Sequence, residues 1–498
     1  MAFALFVSVL LIAACGLIYE LVASALASYL LGDSIMQFST VIGTYLFAMG
    51  IGSHLSRYIG RGLVARFVSL ELLVALVGGF SSTALFLAFA YTQSFRLALY
   101  LLVGAIGILV GLEIPLLMRI LRDRFTFKDV IASVLTFDYL GALAASIAFP
   151  LILVPRLGMV RSALLFGLIN AGVALWATML FKDTLGGRRY LRAACVAVIV
   201  LLTMGMVGAE RVTNLAETSL YADDVIFART SRYQRIVLTA WRNDLRLFLN
   251  SHLQFSSRDE YRYHEALIHP GLAAVPNARH VLVLGGGDGL AVREILRYPS
   301  VDSVTLVDLD PAMTTLFSTH PRLVALNGGS LTNRRVHVVN ADAFVWLDRN
   351  EGMYDFIVVD FPDPSNYSVG KLYTTAFYRL VAKHLSQNGY VVVQSTSPMF
   401  ARRSYWSIVR TLGETGLTTF PYHAYVPSFG EWGFVLGGTR PYVPPESLPS
   451  GLKFLTADAV PELFEFPADM QPVVAATNHL NDQVLVRYYE QEWAEINR

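Results

Sequence analysis

The sequence predicts a multi-span α-helical membrane domain, followed by a small β-rich region and an α/β domain with a doubly wound sheet. Three observations lead to this fold class. The first 210 residues are a series of long apolar runs. Only 15% of the 498 residues are charged, whereas soluble globular chains carry about 25%. The second half alternates short apolar runs with helical stretches, which is the pattern of a parallel sheet.

Each apolar run in the first 210 residues is long enough to cross a membrane, since about 20 apolar residues span a ~30 Å core. The runs are 3–31, 38–58, 66–91, 97–120, 130–154, 159–181 and 191–209. The first is too long for the apolar part of a signal peptide and lacks a basic start, so we expect a true span. The chain is therefore predicted to be a multi-pass protein of the cell membrane, in contact with the lipid bilayer.

Basic residues concentrate in three alternate loops, around 57–66, 119–128 and 182–192. This pattern predicts that these loops and the N-terminus are cytoplasmic. Seven crossings would then leave the second half outside, and an even number would leave it inside. Large domains do not follow the basic-loop rule, so it does not decide between the two.

Four acidic side chains lie within the apolar runs: Glu20, Glu71, Glu113 and Asp138. An ionisable group in a membrane core is costly and tends to face a cavity or a partner. A cation-binding site in the helical bundle and a purely structural placement both stay open.

Charge and cysteine content exclude several kinds of site. The formal net charge of +1 provides no basic field for nucleic acid. Cys15 and Cys195 both lie in apolar stretches, too far apart for a disulfide framework or a metal site. We expect both to be small buried hydrophobic residues, and no metal site is predicted.

Composition changes near residue 211, where charged residues and Gly/Pro turns return. The predicted domains are a transmembrane region, a small β-rich region on the substrate side, a doubly wound domain and a C-terminal extension. Their boundaries are 1–210, 211–275, 276–445 and 446–498.

The stretch "VLVLGGGDG", residues 281–289, is a strand that runs into a glycine-rich turn and then a helix. Glycines let the backbone approach a ligand closely beyond the end of a strand. The stretch has neither the lysine of a P-loop nor the GxGxxG spacing. Asp308 ends the next strand, about 20 residues after Asp288, where an acid commonly binds ribose hydroxyls.

The next two strands also end in acidic residues. Asp342 and Ala343 follow the third strand, in position to meet an adenine edge, and Asp360 ends the fourth. A turn explains any one of these aspartates but explains the set poorly. Together they predict a site for an adenosine nucleoside.

The carboxylates of Asp288, Asp360 and Asp363 would repel a ligand tail that carries a carboxylate of its own. This favours decarboxylated S-adenosylmethionine, whose cargo is an aminopropyl group, over intact S-adenosylmethionine. Asp288 can also cap the helix that follows it, so an S-adenosylmethionine-dependent methyltransferase stays an alternative.

Between about residues 225 and 440 the chain resembles the spermidine synthases, or polyamine aminopropyltransferases. The matching pieces occur in the family's order: "YQRIVL", "LNSHLQFSSRDEYRYHE", "VLVLGGGDG", "VDLD", "DAF", "YDFIVVDFPDP" and "LYTTAFY". The N-terminal spans and the ending "NDQVLVRYYEQEW" resemble a membrane-anchored branch. The resemblance implies a Rossmann-like, methyltransferase-like fold. It also implies decarboxylated S-adenosylmethionine as cosubstrate without a prosthetic group, putrescine as the usual acceptor, and a homodimer or homotetramer.

The resemblance also implies roles for individual residues. Those expected to bind the nucleoside are Gln234, Asp288, Asp308, Asp342 and Ala343. Those expected to bind the amine groups or to line the site are His264, Asp288, Asp363, Tyr263 and Tyr373. Asp360 is expected to be the proton acceptor.

Two stretches depart from the family pattern, "SNYSVGK" after the Asp-Pro pair and "VPSFGEWGF" on the acceptor side. They leave open a longer, shorter or modified acceptor amine. A polyamine transporter or sensor with a regulatory nucleoside-binding domain also stays open. Because the cosubstrate is made in the cytoplasm, we expect the second half to be cytoplasmic.

Overall fold

The computed structural model describes residues 2–31, 35–92, 94–122, 127–181, 185, 188–221 and 223–496. The chain divides into two compact units, Met1–Val225 and Ile226–Arg498. The first unit is helical and the second is built on a central sheet. The finer boundaries predicted at 211, 276 and 446 stay predictions.

The N-terminal unit consists of helices that carry all of the predicted apolar runs. They are α1 (Ala2–Leu31), α2 (Ile35–Leu55), α3 (Leu63–Gly79), α4 (Ser81–Tyr91), α5 (Phe95–Leu121), α6 (Phe127–Ala148), α7 (Val154–Leu180) and α8 (Arg188–Leu220). A π-helical turn, Phe149–Leu153, joins α6 to α7. Helix α8 continues to Leu220, beyond the predicted end of the membrane region at 210.

By length and composition, four helical stretches of the described residues can cross a membrane: Phe6–Ser28, Phe95–Leu121, Val130–Leu180 and Arg189–Ala209. The 51-residue stretch Val130–Leu180 holds two predicted runs, separated by the π-helical turn and a kink at Gly158. Helices α3 and α4 meet at 41° and count as a fifth if taken as one span. Seven crossings and insertion into a membrane stay predictions.

Helices α2 and α5 pack closely because glycines remove side chains from their interface. A Cβ on Gly107 would lie 2.8 Å from the carbonyl oxygen of Tyr45. One turn later, a Cβ on Gly111 would collide with the carbonyl of Met49. Small residues spaced four apart are typical of closely packed helices in membranes.

Two of the predicted intramembrane acids lie deep in this unit. Glu71 is fully buried and Glu113 is 2% exposed. Among the described residues, neither carboxylate oxygen of Glu71 has a hydrogen-bond partner. Their burial fits either alternative, so a cation site in the bundle stays a hypothesis.

The second unit contains two sheets and nine further helices in the part of the chain that the structure describes. The strands are β1 (Asp224–Thr230), β2 (Arg235–Trp241), β3 (Asp244–Leu249), β4 (His252–Ser256), β5 (His280–Gly285), β6 (Ser303–Asp308), β7 (Val336–Asn340), β8 (Tyr354–Asp360), β9 (Leu385–Gln394), β10 (Thr418–Val426) and β11 (Gly430–Gly438). The helices are α9 (Glu260–Leu272), α10 (Leu290–Ile295), α11 (Pro311–Thr319), α12 (Pro321–Leu326), α13 (Ala343–Arg349), α14 (Tyr367–Gly370), α15 (Thr375–Lys383), α16 (Arg402–Gly413) and α17 (Val484–Ile496).

The first four strands form a small sheet in the order β1-β2-β3-β4, as the predicted β-rich region requires. The central sheet has seven strands in the order β10-β11-β9-β8-β5-β6-β7. Strands β5 to β9 are parallel, as predicted. The sheet as a whole is mixed, however, because β10 and β11 form an antiparallel hairpin on β9. A turn of three residues can join only antiparallel strands.

Strands β5, β8 and β9 of the central sheet alternate their side chains between two hydrophobic cores. Val281 and Val283 face the core that contains α9, α10 and α11. Leu282 and Leu284 face the core that contains α13, α15 and α16. Burial on both faces explains why these strands are continuous apolar runs in the sequence.

The carboxyl ends of the parallel strands lie at one edge of the sheet. Gly285 at the end of β5 is opposite Asp360 at the end of β8. Asp308 at the end of β6 is opposite Asn340 at the end of β7. The chain order reverses direction between β5 and β8, and ligands of doubly wound sheets bind in the crevice at such a point.

Candidate active site

Asp360 lies at the end of β8 with its carboxylate half-buried. The hydroxyl of Tyr263, on α9, donates a 2.6 Å hydrogen bond to its Oδ1. The amide of Gly286 donates to its carbonyl oxygen at 3.1 Å, which ties β8 to the glycine turn. Burial raises the pKa of Asp360 to about 6, against the opposing effects of His264 and the Tyr263 hydroxyl. The structure thus provides a carboxylate with unusual affinity for a proton.

The glycine turn after β5 wraps around Asp308. Gly285, Gly286 and Gly289 have φ values of 85°, 62° and 75°, which favour glycine. The amide of Gly287 donates to Asp308 Oδ2 at 3.1 Å. A Cβ on Gly287 would lie 2.6 Å from the same oxygen, so a side chain there would displace the carboxylate.

A second aspartate, Asp310, connects Asp308 to Gln234. The amide of Asp310 donates to Asp308 Oδ1 at 2.8 Å. Its Oδ2 accepts from Gln234 Nε2 at 3.1 Å and from the Ser231 hydroxyl at 2.6 Å. Burial raises the pKa of Asp308 to about 6. Gln234, from the small sheet, is therefore held beside the predicted ribose position.

Asp288 and His264 face the same region from the glycine turn and from α9. Asp288 Oδ1 accepts from the amide of Leu290 at 2.9 Å, so the residue does bond to the first turn of α10. Burial raises the pKa of Asp288, partly offset by the charge of His264. Burial alone would lower the pKa of His264, but Glu260, with Oε2 2.9 Å from Nδ1, raises it above its ordinary value.

Asp342 begins α13 and has two kinds of partner. Its Oδ1 accepts from the amide of Phe344 at 2.9 Å, which caps the helix. Its Oδ2 lies 2.6 Å from Lys371 Nζ. Burial alone would raise the pKa of Asp342, but the Lys371 ammonium holds it below its usual value. Ala343, the next residue, is 6% exposed.

Asp363 is held by three donors from two segments, the end of β9 and helix α17. Gln394 Nε2 donates to its Oδ1 at 3.2 Å. The hydroxyls of Thr396 and Tyr489 donate to its Oδ2 at 3.2 Å and 3.0 Å. Burial raises the pKa of Asp363 to about 6, although all three hydrogen bonds act to lower it. Thr396 has a φ of 55°, and strained backbone of this kind is concentrated at functional sites.

Tyr373 supports the loop that carries Asp363. Its ring is fully buried, and its hydroxyl donates to the carbonyl of Pro362 at 3.1 Å. Gln394 Nε2 lies 3.0 Å from the same hydroxyl. The ring of Tyr373 packs against other protein atoms. Its predicted contact with substrate stays a prediction.

The departing stretch "VPSFGEWGF" contributes aromatic rings. Trp432 Nε1 donates to Gln394 Oε1 at 3.2 Å, and its ring is 5.0 Å from that of Phe429. Glu431, which the sequence places nearby, pairs with His423 at 2.8 Å. Neighbouring strand residues point to opposite faces, so Glu431 does not join Trp432.

Hydrogen bonds thus connect four of the ten predicted residues, Gln234, Asp308, Asp360 and Tyr263. They run from Gln234 through Asp310, Asp308 and the glycine turn to Asp360, and on to Tyr263. The residues that the sequence analysis missed are Asp310, Lys371, Gln394, Thr396 and Tyr489. Gln394 ends β9 at the same sheet edge, so the strand-end rule could have found it. Tyr489 belongs to the C-terminal extension and offered no such signal.

Comparison with known proteins shows to which family the chain belongs. Residues 260–444 match the spermine/spermidine synthase domain family. The chain is 52% identical over 493 residues to a polyamine aminopropyltransferase of Leptospira interrogans, covering 99% of both chains. It is 55% identical over 503 residues to polyamine aminopropyltransferase 2 of Ralstonia nicotianae, again covering 99% of both. The chain belongs to the polyamine aminopropyltransferase family.

The enzyme is accordingly a transferase of the spermidine synthase type, a family that uses decarboxylated S-adenosylmethionine as its cosubstrate. Among solved structures it is similar to a spermidine synthase in complex with the transition-state analogue AdoDATO. That likeness has a TM-score of 0.46 and 23% identity, and covers 49% of this chain and 86% of the other.

Proposed function

We propose that this chain transfers the aminopropyl group of decarboxylated S-adenosylmethionine to putrescine, giving spermidine and methylthioadenosine. Family membership supports the reaction type, and one observation supports the division of roles. Among the described residues, the Asp360 carboxylate accepts one hydrogen bond, from Tyr263. The Asp363 carboxylate accepts three. The two half-buried aspartates, one at the end of β8 and one on the loop that follows, therefore have different hydrogen-bonding environments.

The reaction needs a base because the acceptor amine is protonated in solution. An alkylamine resembles lysine, with a pKa near 10.4, so about one molecule in 10³ is neutral at pH 7. Asp360 takes a proton from the bound ammonium. The freed nitrogen lone pair then forms a bond to the aminopropyl carbon next to the sulfonium. The carbon–sulfur bond breaks, and its electrons leave with methylthioadenosine.

Asp360 suits the role of base through its environment. A general base works best when its pKa lies near the working pH. The pKa of Asp360, about 6, is above that of an ordinary aspartate but low enough to keep the carboxylate ionised at pH 7. Its remaining acceptor positions are open to an ammonium.

Asp363 suits the role of a fixed anchor for the distal amine. An ionised carboxylate has about four acceptor positions, and three are occupied by Gln394, Thr396 and Tyr489. The position left on Oδ1 faces no donor among the described residues. If one ammonium of a diamine binds there, its other amine lies near Asp360. This arrangement holds the reacting amine close to its base.

The nucleoside half of the cosubstrate would occupy the crevice along β5, β6 and β7. In this proposal Asp308 binds the ribose, and Gln234 contacts the nucleoside. Asp342 and Ala343 flank the adenine. The residues that hold or enclose the amine parts are His264, Asp288, Tyr263 and Tyr373.

Mass spectrometry of products tests the proposal. Purified full-length protein receives decarboxylated S-adenosylmethionine and diamines of three, four and five carbons. We expect methylthioadenosine and spermidine from the four-carbon diamine. Asp360→Asn should lower the rate by about 10²–10⁴, the contribution of a positioned base.

Asp355→Asn is the matched control. Asp355 lies on the same strand but at its opposite end, where it accepts from the amides of Arg279 and His280. This variant should keep its activity. A polyamine product other than spermidine would show that the acceptor is a different amine and would leave the proposed mechanism unchanged. Products from intact S-adenosylmethionine instead would contradict the proposal.

A further inference from the structure

The C-terminal helix α17 reaches the site from the extension that follows the α/β domain. Its Tyr489 donates a 3.0 Å hydrogen bond to Asp363 Oδ2. The Tyr489 side chain is half-buried, and it supplies one of the three donors to that carboxylate. A residue 126 positions away along the chain therefore completes the surroundings of Asp363.

Contacts on both sides of Tyr489 fix the helix in place. Before it, Leu485 and Val486 are fully buried. After it, Glu492 binds the first turn of α16. Its carboxylate accepts from the amide of Arg403 at 2.7 Å and from the hydroxyl of Ser404 at 2.7 Å. The contacts on both sides of Tyr489 thus fix the position of its hydroxyl.

The segment before α17 is tied to the same loop region. Asn478 Nδ2 donates to the carbonyl of Tyr373 at 3.0 Å. The hydroxyl of Tyr373 in turn contacts the carbonyl of Pro362, next to Asp363. The extension therefore contacts Asp363 directly through Tyr489, and it contacts the neighbouring Pro362 indirectly through Tyr373.

Aromatic rings continue from Tyr489 toward the β10–β11 turn. The ring of Tyr489 is 5.8 Å from that of Trp493, which is 6.3 Å from that of Phe400. An atom of the Phe400 ring lies 3.0 Å from where a Cβ on Gly430 would be. These rings extend to the stretch "VPSFGEWGF", which departs from the family pattern.

We propose that Tyr489 is a positioning residue, which holds Asp363 in the orientation that binds the distal ammonium of a diamine acceptor. The inference rests on the proposed function. It assigns the C-terminal extension a part in binding the acceptor, separate from the cosubstrate. The hydroxyl acts through the carboxylate that it contacts and not on the reacting atoms.

Steady-state kinetics of full-length Tyr489→Phe tests this. The variant keeps the ring and loses the donor. We expect KM for putrescine to rise about 10-fold, because a hydrogen bond to a charged group is worth at least that much. We expect kcat and KM for decarboxylated S-adenosylmethionine to stay within about 2-fold. A merely structural role would lower kcat through loss of active protein and leave KM for putrescine unchanged.

Tyr488→Phe is the matched control, since it removes a hydroxyl from the adjacent residue, whose ring lies 4.3 Å from the Arg403 guanidinium. It should leave all three constants unchanged. If Tyr489→Phe left KM for putrescine unchanged, or raised both KM values together, the inference would be wrong. Absence of aminopropyl transfer by the wild-type protein would instead contradict the proposed function, and this inference with it.

Discussion

Single residues show how identical side chains acquire different properties at this site. Asp360 and Asp363 lie on one loop, and burial raises the pKa of each to about 6. They differ in their donors. Asp363 is surrounded by an amide and two hydroxyls, whereas Asp360 has the Tyr263 hydroxyl. In the proposed mechanism the carboxylate with fewer fixed donors, Asp360, takes up the proton.

The pH dependence of the reaction follows from these values. A base with a pKa of about 6 loses activity as the pH falls through 6, because protonation removes the lone pair that accepts the proton. The Tyr263 hydroxyl stabilises the ionised form, so it lowers the pKa of Asp360. Tyr263→Phe should therefore shift the acid limb of the kcat/KM profile to higher pH and reduce kcat/KM at pH 6.5.

The measurement is kcat/KM for putrescine of the full-length protein between pH 5 and 9. Tyr261→Phe, two residues earlier on α9, is the control and should reproduce the wild-type profile. An acid limb that stays in place or moves to lower pH in Tyr263→Phe would contradict the role of that hydroxyl.

At the level of elements, a buried charge network joins α9 to α10 behind the glycine turn. Arg293 donates to both carboxylate oxygens of Glu260 at 2.9 Å and to Glu294 at 2.8 Å. Glu260 also contacts His264, which faces the site. Both glutamates are almost fully buried. The network therefore fixes the helix that carries Tyr263 and His264 against the helix that follows the glycine turn.

Arg293→Met should destabilise the protein by about 3–5 kcal/mol, because it leaves two buried carboxylates without their shared partner. Burial alone would raise the pKa of Glu260 and of Glu294, but their histidine and arginine partners lower each pKa to about 2. The stability that these groups contribute is thus present above about pH 4.5 and is lost as the pH falls toward 2.

Thermal unfolding of the full-length protein in detergent measures this effect. The unfolding midpoint of Arg293→Met should be well below that of the wild type at pH 7, and the gap should narrow as the pH falls below 4. Arg279→Met is the control, since Arg279 is exposed and lies 4.0 Å from exposed Asp302. Exposed pairs contribute at most about 1 kcal/mol. Equal effects of the two substitutions would contradict the assignment.

For the whole molecule, the number of predicted membrane crossings determines on which side of the membrane the α/β unit would lie. We propose that it is cytoplasmic, where its cosubstrate is made. The bent pair α3 and α4 bears directly on this. Counted as a re-entrant loop, the pair reduces the predicted crossings to six and leaves both ends of the chain on one side, but it then puts the basic loops around 119–128 and 182–192 outside, against the basic-loop rule. Counted as one broken span, it gives seven and opposite sides.

Topology reporters fused after Thr92 and after Arg498 test the proposal. We expect the Arg498 fusion to be active with a cytoplasmic reporter and inactive with one that works only outside. A cytoplasmic signal at Thr92, just after α4, would identify the re-entrant loop. An outside signal at Arg498 would contradict the proposal. A fusion in the basic loop around 57–66 provides the cytoplasmic reference.

The sequence by itself determined the features that depend on local pattern. Apolar runs of sufficient length predicted the helices of the first unit, and buried strands alternating with helices predicted the parallel core of the sheet. The strand-end rule located Asp308, Asp342 and Asp360, because parallel strands bring their carboxyl ends to one edge. The order of the motifs pointed to the family that the comparisons then established.

Only the tertiary structure decided what depends on contacts between distant segments. The antiparallel pairing of β11 with β9, the Asp310 bridge to Gln234 and the approach of Tyr489 to Asp363 have no signature at short range. The pKa values of Asp360 and Asp363 likewise depend on burial and on donors from other elements. A sequence pattern records which side chains are present, whereas burial and hydrogen bonding depend on which surfaces meet after folding.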